Sequence, residues 1–299
     1  REKAPISVKK LIETSGSSAA IVKSLVDKTI FEEYYIAQDR VAFDKEEDSQ
    51  FTLSEAQQVA FYSIQENFKT FDVNLLHGVT ASGKTEIYIK LLEQYIKEGK
   101  QVLFLLPEIA LTTQLVQRLT AYFGNEVAVF HSKYTNNERI EVWNQVLENS
   151  PKAKVVIGVR SALFLPFFNL GCIIVDEEHE QTFKQHDPAP RYHARDAAIV
   201  LAKQHGAKVV LGSATPSLET YYNVQSNKYG LTELKVRYGN VVLPEIQLVD
   251  LKDKYFRKKM SGHFSDELLE EITETLSKGE QVILFQNRRG FSPYVECMT

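Results

Sequence analysis

Cysteine is scarce in this sequence, and long hydrophobic runs are missing. The chain has two cysteines, Cys172 and Cys297. This number excludes a small secreted scaffold held by disulfides and fits a reducing cytoplasm. No apolar run approaches the roughly 18 residues of a membrane span, and no basic-then-apolar leader opens the chain, so we expect no membrane association. With 14 glycines and 9 prolines, collagen-like and wholly disordered proteins are also excluded.

An excess of basic residues is also missing. The 35 lysines and arginines face 39 acidic residues, which gives a formal net charge of −4. Because nucleic-acid-binding proteins usually present a basic surface, this value taken alone argues mildly against such a partner. The 299 residues exceed what one compact domain usually needs, so we expect two domains and a fragment. From the start at Arg1 and the abrupt end at Thr299, we expect a piece of a longer protein.

The hydrophobic pattern divides the chain into four parts. Residues 1–43 hold two short helical patterns followed by a strand pair, an order typical of a winged helix, with a small helical cap as the alternative. Residues 44–52 are charged and predict a linker. Residues 53–235 alternate apolar strands with helices. Residues 236–299 begin another such alternation, with a helix over 266–277 and a strand over 281–285.

Strand–helix alternation in the third part predicts an α/β fold with a mostly parallel sheet and helices on both faces. Helices are predicted over 85–97 and 113–122. The predicted strands are residues 74–77, 101–106, 127–130, 155–158, 172–175 and 208–211.

A phosphate-binding loop follows the first of these strands. The pattern G-x-x-x-x-G-K-[ST] is matched at every fixed position by Gly78, Val79, Thr80, Ala81, Ser82, Gly83, Lys84 and Thr85. Its backbone N–H groups are expected to face a polyphosphate, with Lys84 at the β- and γ-phosphates and the Thr85 hydroxyl on Mg²⁺. The sequence therefore predicts binding of ATP with Mg²⁺.

An acidic box lies at the end of a later apolar strand and supplies the carboxylates for the metal ion and the attacking water. Asp176 is expected to hold Mg²⁺, and Glu177 to polarise the attacking water. His179 is expected to sense the state of the nucleotide.

The box Asp176-Glu177-Glu178-His179 resembles motif II of superfamily-two helicases. From about residue 52 onward, the surrounding segments are similar to one family, primosomal protein N′, the PriA replication-restart helicases. The resemblance implies that residues 53–235 form a RecA-like motor lobe, that residues 236–299 start a second lobe, and that a winged helix precedes them.

For function, the resemblance implies an ATP-dependent 3′-to-5′ DNA helicase that acts at stalled forks. Its partners would be forked or single-stranded DNA, primosome proteins and single-strand-binding proteins, in the bacterial cytoplasm at the nucleoid. The oligomeric state does not follow from the sequence.

The resemblance also assigns roles to individual residues. His179, Ser213 and Thr215 would couple the nucleotide site to DNA, and Gln57 would bind adenine, with Gln58 as the alternative. A local set of basic side chains, Arg195 among them, would offset the negative net charge. The expected DNA contacts are Pro107, Glu108, Arg160, Ser161, Phe183, Lys184, Arg191, Tyr192, Asn287, Arg288 and Arg289.

Two features of the family pattern are expected beyond Thr299. The arginine finger is one, so we expect this chain to bind ATP–Mg²⁺ but to hydrolyse it poorly and not to unwind DNA alone. A Cys-x-x-Cys zinc arm is the other; Cys297 would be its first ligand, and zinc is expected only in the full-length parent. Two alternatives remain: another superfamily-two translocase, or a nucleotide-switched DNA-binding module without steady turnover. Glu177 favours a motor, because a switch needs no catalytic carboxylate.

Overall fold

The computed structural model describes residues 8–28, 30–31, 52–107, 113–131, 134–237 and 245–285. The chain separates into two compact units, residues 1–241 and residues 242–299.

The first unit alternates helices and strands along its length. Its helices are α1 (Val8–Ser15), α2 (Ala19–Asp27), α3 (Glu55–Asn67), α4 (Lys84–Lys97), α5 (Thr113–Phe123), α6 (Asn136–Leu147), α7 (Ala194–His205) and α8 (Leu218–Gln225). Its strands are β1 (Val73–Gly78), β2 (Gln101–Leu105), β3 (Val127–Phe130), β4 (Val155–Gly158), β5 (Leu170–Asp176), β6 (Lys208–Ser213) and β7 (Gly230–Leu234).

These seven strands form one parallel sheet in the order β3-β4-β2-β5-β6-β1-β7. Because all of them run the same way, their carboxyl ends meet at one edge, which is where ligands bind in open α/β sheets. The predicted α/β fold is confirmed, and each of the six predicted strands is present.

Apolar side chains fill both faces of the sheet. Successive residues of a strand alternate between the two faces: Leu75 and Ile173 lie in one core, and Leu76 and Ile174 in the other. Helices α6, α7 and α8 contribute to the first core, and α3, α4 and α5 to the second. Burial on both sides explains why the strands appear as unbroken hydrophobic runs in the sequence.

Local sequence fixes where two of these helices begin. At the start of α3, the Ser54 hydroxyl accepts a hydrogen bond from the backbone of Gln57, whose side chain accepts one in return from the backbone of Ser54. Thr135 and Glu138 form the same reciprocal pair at the start of α6. Such capping boxes satisfy backbone donors that a helix leaves unpaired at its first turn.

Strand β7 was not predicted. It lies at the sheet edge beside β1, and Glu233 is exposed to solvent there. Its sequence G-L-T-E-L therefore has few apolar residues and shows no continuous hydrophobic run. The helices predicted within residues 1–43 are present as α1 and α2. The predicted strand pair over 30–43 lies almost wholly outside the described residues, so the winged helix stays a prediction.

The second unit contains helix α9 (Leu251–Phe256), a short antiparallel pair of β8 (Met260–Ser261) with β9 (Phe264–Ser265), and helix α10 (Asp266–Ser277). The predicted helix over 266–277 is confirmed. The predicted strand over 281–285 is wrong for this structure: these residues have no strand partner in the described part of the chain, and Ile283 and Phe285 are exposed. Without a partner, an apolar run cannot form ladder hydrogen bonds.

Candidate active site

The phosphate-binding loop connects β1 to α4 at the carboxyl edge of the sheet. Gly78 ends the strand, Gly83 is the N-cap of the helix, and Lys84 is the first helical residue. Gly83 has a φ of 82°, and a Cβ there would lie 2.2 Å from Nε2 of Gln57. Both the left-handed backbone and the close side chain therefore require glycine at this position.

Three hydrogen bonds hold the loop. Val79 N donates to the Leu234 carbonyl of β7 at 3.1 Å, and Ser82 N donates to the Val79 carbonyl at 3.1 Å. The ammonium of Lys84 donates to the Gly78 carbonyl at 3.0 Å. The edge strand β7 thus positions the loop, and Lys84 is held across it.

The donors of this loop fit a polyphosphate. Gly83 offers no side-chain cap, so the first N–H groups of α4 keep their donors available. The Ser82 hydroxyl is buried and has no hydrogen-bond partner among the described residues. Thr80 and Ala81 are exposed at the crest of the loop, and Thr85 follows Lys84 in the first helical turn.

The acidic box lies two strands away from the loop. Asp176 ends β5 and pairs in register with Gly212 of β6, whose next residue, Ser213, pairs with His77 of β1. Since β5, β6 and β1 are neighbours, the structure brings together Lys84, Asp176 and Ser213, as the motifs predicted.

Asp176 is bound by a residue that sequence reasoning missed. The Tyr88 hydroxyl donates to Oδ1 of Asp176 at 2.9 Å, and Tyr88 is fully buried. Burial, and then the charge of Glu177, raise the pKa of Asp176 to about 6, whereas Tyr88 and Lys84 act in the opposite direction. A partly desolvated carboxylate of this kind favours a nearby cation. One signal was available: Tyr88 follows Lys84 by about one turn of α4.

His179 connects the acidic box to the end of β6. Its Nδ1 lies 2.8 Å from the Ser213 hydroxyl and 3.7 Å from a carboxylate oxygen of Glu177. Its Nε2 lies 3.5 Å from the Thr215 hydroxyl, and the backbone N–H of Thr215 donates to Ser213 at 2.9 Å. Glu177 has a φ of 50°, an uncommon left-handed backbone for a residue with a side chain. This chain of contacts joins the residues to which coupling was assigned.

The buried acid of the box is Glu178, and it was not predicted to have a role. Glu178 is 0% exposed, and its Oε2 lies 3.0 Å from Nη1 of Arg195, itself 7% exposed. It also accepts hydrogen bonds from Ser217 N, the Ser217 hydroxyl and the Thr220 hydroxyl. Arg195 was expected among the basic residues that offset the net charge towards DNA. That expectation is wrong, because its guanidinium is buried in an ion pair.

The aromatic-rich loop, residues 181–193 after the acidic box, folds back on itself. Lys184 and His193 form an antiparallel bridge at its base, and Gln185 N donates to the Tyr192 carbonyl. Nη1 of Arg160 donates to the carbonyls of Thr182 and Lys184, each at 3.2 Å. Arg160 therefore anchors the loop; its expected contact with phosphate stays a prediction.

Two of the expected DNA contacts are buried. Phe183 is 1% exposed in the core, so its ring cannot stack on a base, and Pro107 is buried at the end of β2. Both predictions are wrong, because a side chain without accessible surface cannot contact a ligand.

Other expected contacts are accessible at the loop. Ser161 and Arg191 are exposed, Lys184 is partly exposed, and its ammonium donates to the Arg191 carbonyl. Tyr192 packs edge-on against Phe164, with ring centroids 5.3 Å apart, and Phe164 is 60% exposed. Phe164 was missed as a candidate. Outside the described residues lie Glu108, Asn287, Arg288, Arg289 and Cys297.

The carboxamide of Gln57 is occupied within the chain. Its Oε1 accepts from Ser54 N at 2.8 Å, and its Nε2 donates to the Gly83 carbonyl at 3.1 Å. Gln57 is buried, whereas Gln58 is exposed. The assignment of either residue to adenine stays a prediction, and Gln57 supports the phosphate-binding loop directly.

The sequence pattern of the DEAD/DEAH box helicases matches residues 54–224, the span that carries the loop, the acidic box and the Ser213 segment. The chain belongs to this family.

Comparison with curated proteins confirms the more specific resemblance. The chain is 42% identical to the replication restart protein PriA of Bacillus subtilis over 295 residues, which is 96% of this chain and 36% of that protein. It is 43% identical to the PriA of Haemophilus influenzae over 288 residues, which is 94% of this chain and 38% of that protein. The chain thus spans little more than a third of the length of these relatives.

A solved structure agrees on the fold alone. RecG bound to a three-way DNA junction has a TM-score of 0.52 and 21% identity, over 77% of this chain and 28% of that one. Together with the parallel sheet, this supports the RecA-like architecture of the first unit.

Two features are absent from the described residues. No helix there is long and apolar enough to cross a membrane. The same residues hold no group of three or more His, Cys, Asp or Glu side chains placed to bind a metal ion. Mg²⁺ bound with a nucleotide needs only one or two protein carboxylates, so Asp176 remains its candidate ligand.

Proposed function

We propose that this chain is the ATP-binding part of an ATP-dependent 3′-to-5′ DNA helicase of replication restart. The observation that carries the proposal is the meeting of Lys84, the Asp176–Glu177 pair and the His179–Ser213 contact at the ends of three neighbouring strands. Similarity to PriA proteins over nearly the whole chain supports the restart assignment.

Each side chain of the site has a distinct role. The loop N–H groups and Lys84 bind the β- and γ-phosphates, and Thr85 and Asp176 hold Mg²⁺. Glu177 orients and polarises the attacking water. When bound, ATP–Mg²⁺ supplies the phosphoanhydride whose hydrolysis drives the motor. His179 contacts both Glu177 and Ser213, so a change at the nucleotide can reach Thr215 through side-chain contacts.

DNA is proposed to run past the aromatic-rich loop. Ser161, Lys184 and Arg191 offer polar and cationic groups for phosphates, and Tyr192 with Phe164 offers ring surface for unpaired bases. The DNA would be forked or single-stranded, and the proposed protein partners are primosome and single-strand-binding proteins in the bacterial cytoplasm at the nucleoid.

The remaining assignments are proposals of the same kind. Residues 1–43 are a winged-helix-like piece, 44–52 a linker, 53–235 the first motor lobe and 236–299 the start of the second. The arginine finger and the zinc arm, to which Cys297 contributes, belong to the full-length parent.

The test compares ATP hydrolysis and fork unwinding by the intact protein with and without Glu177→Gln. Because that substitution removes the base but keeps the shape, we expect ATP binding to persist and DNA-stimulated turnover to fall by about 100-fold or more. Glu180→Gln is the matched control and should retain turnover. Normal turnover by Glu177→Gln would show the catalytic assignment to be wrong. Nucleotide-dependent DNA affinity without turnover in the wild type would indicate a switch instead of a motor.

A further inference from the structure

A cluster of cations and exposed aromatic rings lies in the second unit, outside the site described above. Residues 252–259 carry five cationic side chains and a single carboxylate, in a chain whose formal net charge is −4. Within this segment, Tyr255 is 73% exposed and Phe256 is 72% exposed. We define the basic aromatic patch as Lys252, Tyr255, Phe256 and Lys258.

Ion pairs on the opposite side of α9 hold that side against α10 and leave the patch exposed to solvent. Lys254 is 13% exposed and binds the carboxylates of Asp266 and Glu267 at the start of α10. Lys259 N donates to the Lys254 carbonyl, and Asp266 N donates to the Lys259 carbonyl. Since Lys254 is held against α10, the neighbouring rings of Tyr255 and Phe256 are left facing solvent.

The cations of the segment fall into two groups. Lys254, Arg257 and Lys259 pair with Asp266, Asp253 and Asp266 respectively. Within the described residues, Lys252 and Lys258 form no ion pair. Lys252 precedes Tyr255 and Phe256 by three and four residues, a spacing that places all three side chains on one face of α9.

Two exposed rings, with unpaired cations close to them in the sequence, match one class of ligand. The rings of Tyr255 and Phe256 lie edge to face, with centroids 6.3 Å apart. Unpaired bases stack on such rings, whereas bases inside a duplex are already stacked on one another. The ammonium groups of Lys252 and Lys258 suit the phosphates of the same strand.

We propose that the basic aromatic patch binds single-stranded DNA. The phosphates contact Lys252 and Lys258, and bases stack on Tyr255 and Phe256. The patch would give the second unit its own contact with the strand, separate from the aromatic-rich loop of the first unit. The inference rests on the proposed function in so far as both require the chain to bind single-stranded DNA.

The experiment measures anisotropy of a labelled oligothymidine with the whole chain over a series of salt concentrations. Two variants are compared: Tyr255→Ala/Phe256→Ala and Lys252→Gln/Lys258→Gln. The matched controls replace equally exposed side chains of the first unit, Tyr222→Ala/Phe168→Ala and Lys97→Gln/Lys203→Gln. Lys254 is untouched, and circular dichroism checks that each variant is folded.

We expect the ring variant to bind oligothymidine about fivefold or more weakly for each base that it no longer stacks. The lysine variant should lower the slope of log affinity against log salt by about 0.7 for each lost phosphate contact. The controls should match the wild type, and binding of duplex DNA should be unaffected by the ring variant.

Three results would overturn the inference. If the wild type binds oligothymidine and both variants bind it with the same affinity, the patch is not a DNA-binding site. The proposed function is unaffected by that result. An equal loss of single-stranded and duplex binding would show a general electrostatic surface without stacking. A wild type that binds an acidic protein surface but no oligothymidine would contradict both the patch and the DNA contacts of the proposed function.

Discussion

Arg191 and Arg195 show how strongly burial decides the role of a residue. Arg191 is exposed at the aromatic-rich loop, whereas Arg195 is buried and binds Glu178 in the acidic box. Removing one partner of a buried ion pair leaves the other charge without compensation, and this costs far more than losing a surface charge. The two arginines therefore predict opposite effects on stability.

Arg195→Met is expected to lower the free energy of unfolding by about 3–5 kcal/mol, because Glu178 would be left buried and unpaired. Arg191→Met should change it by about 0.5 kcal/mol or less. Urea denaturation of both variants measures the difference. Equal stability of the two variants would contradict the buried pair.

Phe183 and Phe164 provide a second contrast at this scale. Phe183→Ala is expected to cost about 3–5 kcal/mol of stability, because it leaves a cavity in the core beneath the loop. Phe164→Ala removes an exposed ring and should weaken binding of single-stranded DNA with little effect on unfolding. If Phe183→Ala weakened DNA binding and left stability unchanged, Phe183 would be a DNA contact and not a core residue.

Helix α7 directly follows the aromatic-rich loop. His193 is the N-cap of α7, and its Nδ1 is buried with no hydrogen-bond partner among the described residues. Burial, and then the charge of Arg195, lower the pKa of His193 below its usual value. The unfolded chain therefore takes up a proton at a higher pH than the folded chain does.

The stability that depends on neutral His193 should be present above the unfolded pKa of about 6.5 and lost as the pH falls through the lower folded value. In His193→Asn, the thermal midpoint should fall less between about pH 7.5 and pH 5 than it does in the wild type. Asparagine is a good N-cap, so the slopes with pH are compared and not the absolute midpoints. His205→Asn, at an exposed position of the same helix, should keep the wild-type slope. Parallel slopes for His193→Asn and the wild type would contradict the account.

Elements buried on both faces could be predicted from sequence, because their hydrophobic runs are continuous. The edge strand β7 could not, since Leu231 is only partly buried and Glu233 is exposed, which interrupts its hydrophobic run. The strand over 281–285 was predicted from an apolar run alone, which does not show whether a partner strand exists. The loop and acidic box were found because their residues are consecutive. The contacts of Tyr88 with Asp176, and of Glu178 with Arg195, depend on packing between different segments. The spacing of Tyr88 from Lys84 indicates only that the two side chains share a face of α4, and it does not indicate the partner of Tyr88.

Over the whole molecule, charge is distributed unevenly, so the net charge of −4 does not describe any single surface. The five cations of residues 252–259 are concentrated beside two exposed rings, and Arg191 lies at a loop next to the acidic box. The chain spans little more than a third of its PriA relatives, and it holds the phosphate-binding loop, the acidic box and the His179–Ser213 contact.

The central claim is that the carboxyl edge of β1, β6 and β5 binds ATP with Mg²⁺. Calorimetric titration of ATP–Mg²⁺ into the wild type, Lys84→Ala and the exposed control Lys97→Ala tests it most directly. We expect saturable binding by the wild type and by Lys97→Ala, and affinity at least about tenfold weaker for Lys84→Ala, since a charge-assisted bond to phosphate is lost. Equal affinity of all three proteins, or no binding by the wild type, would contradict the account.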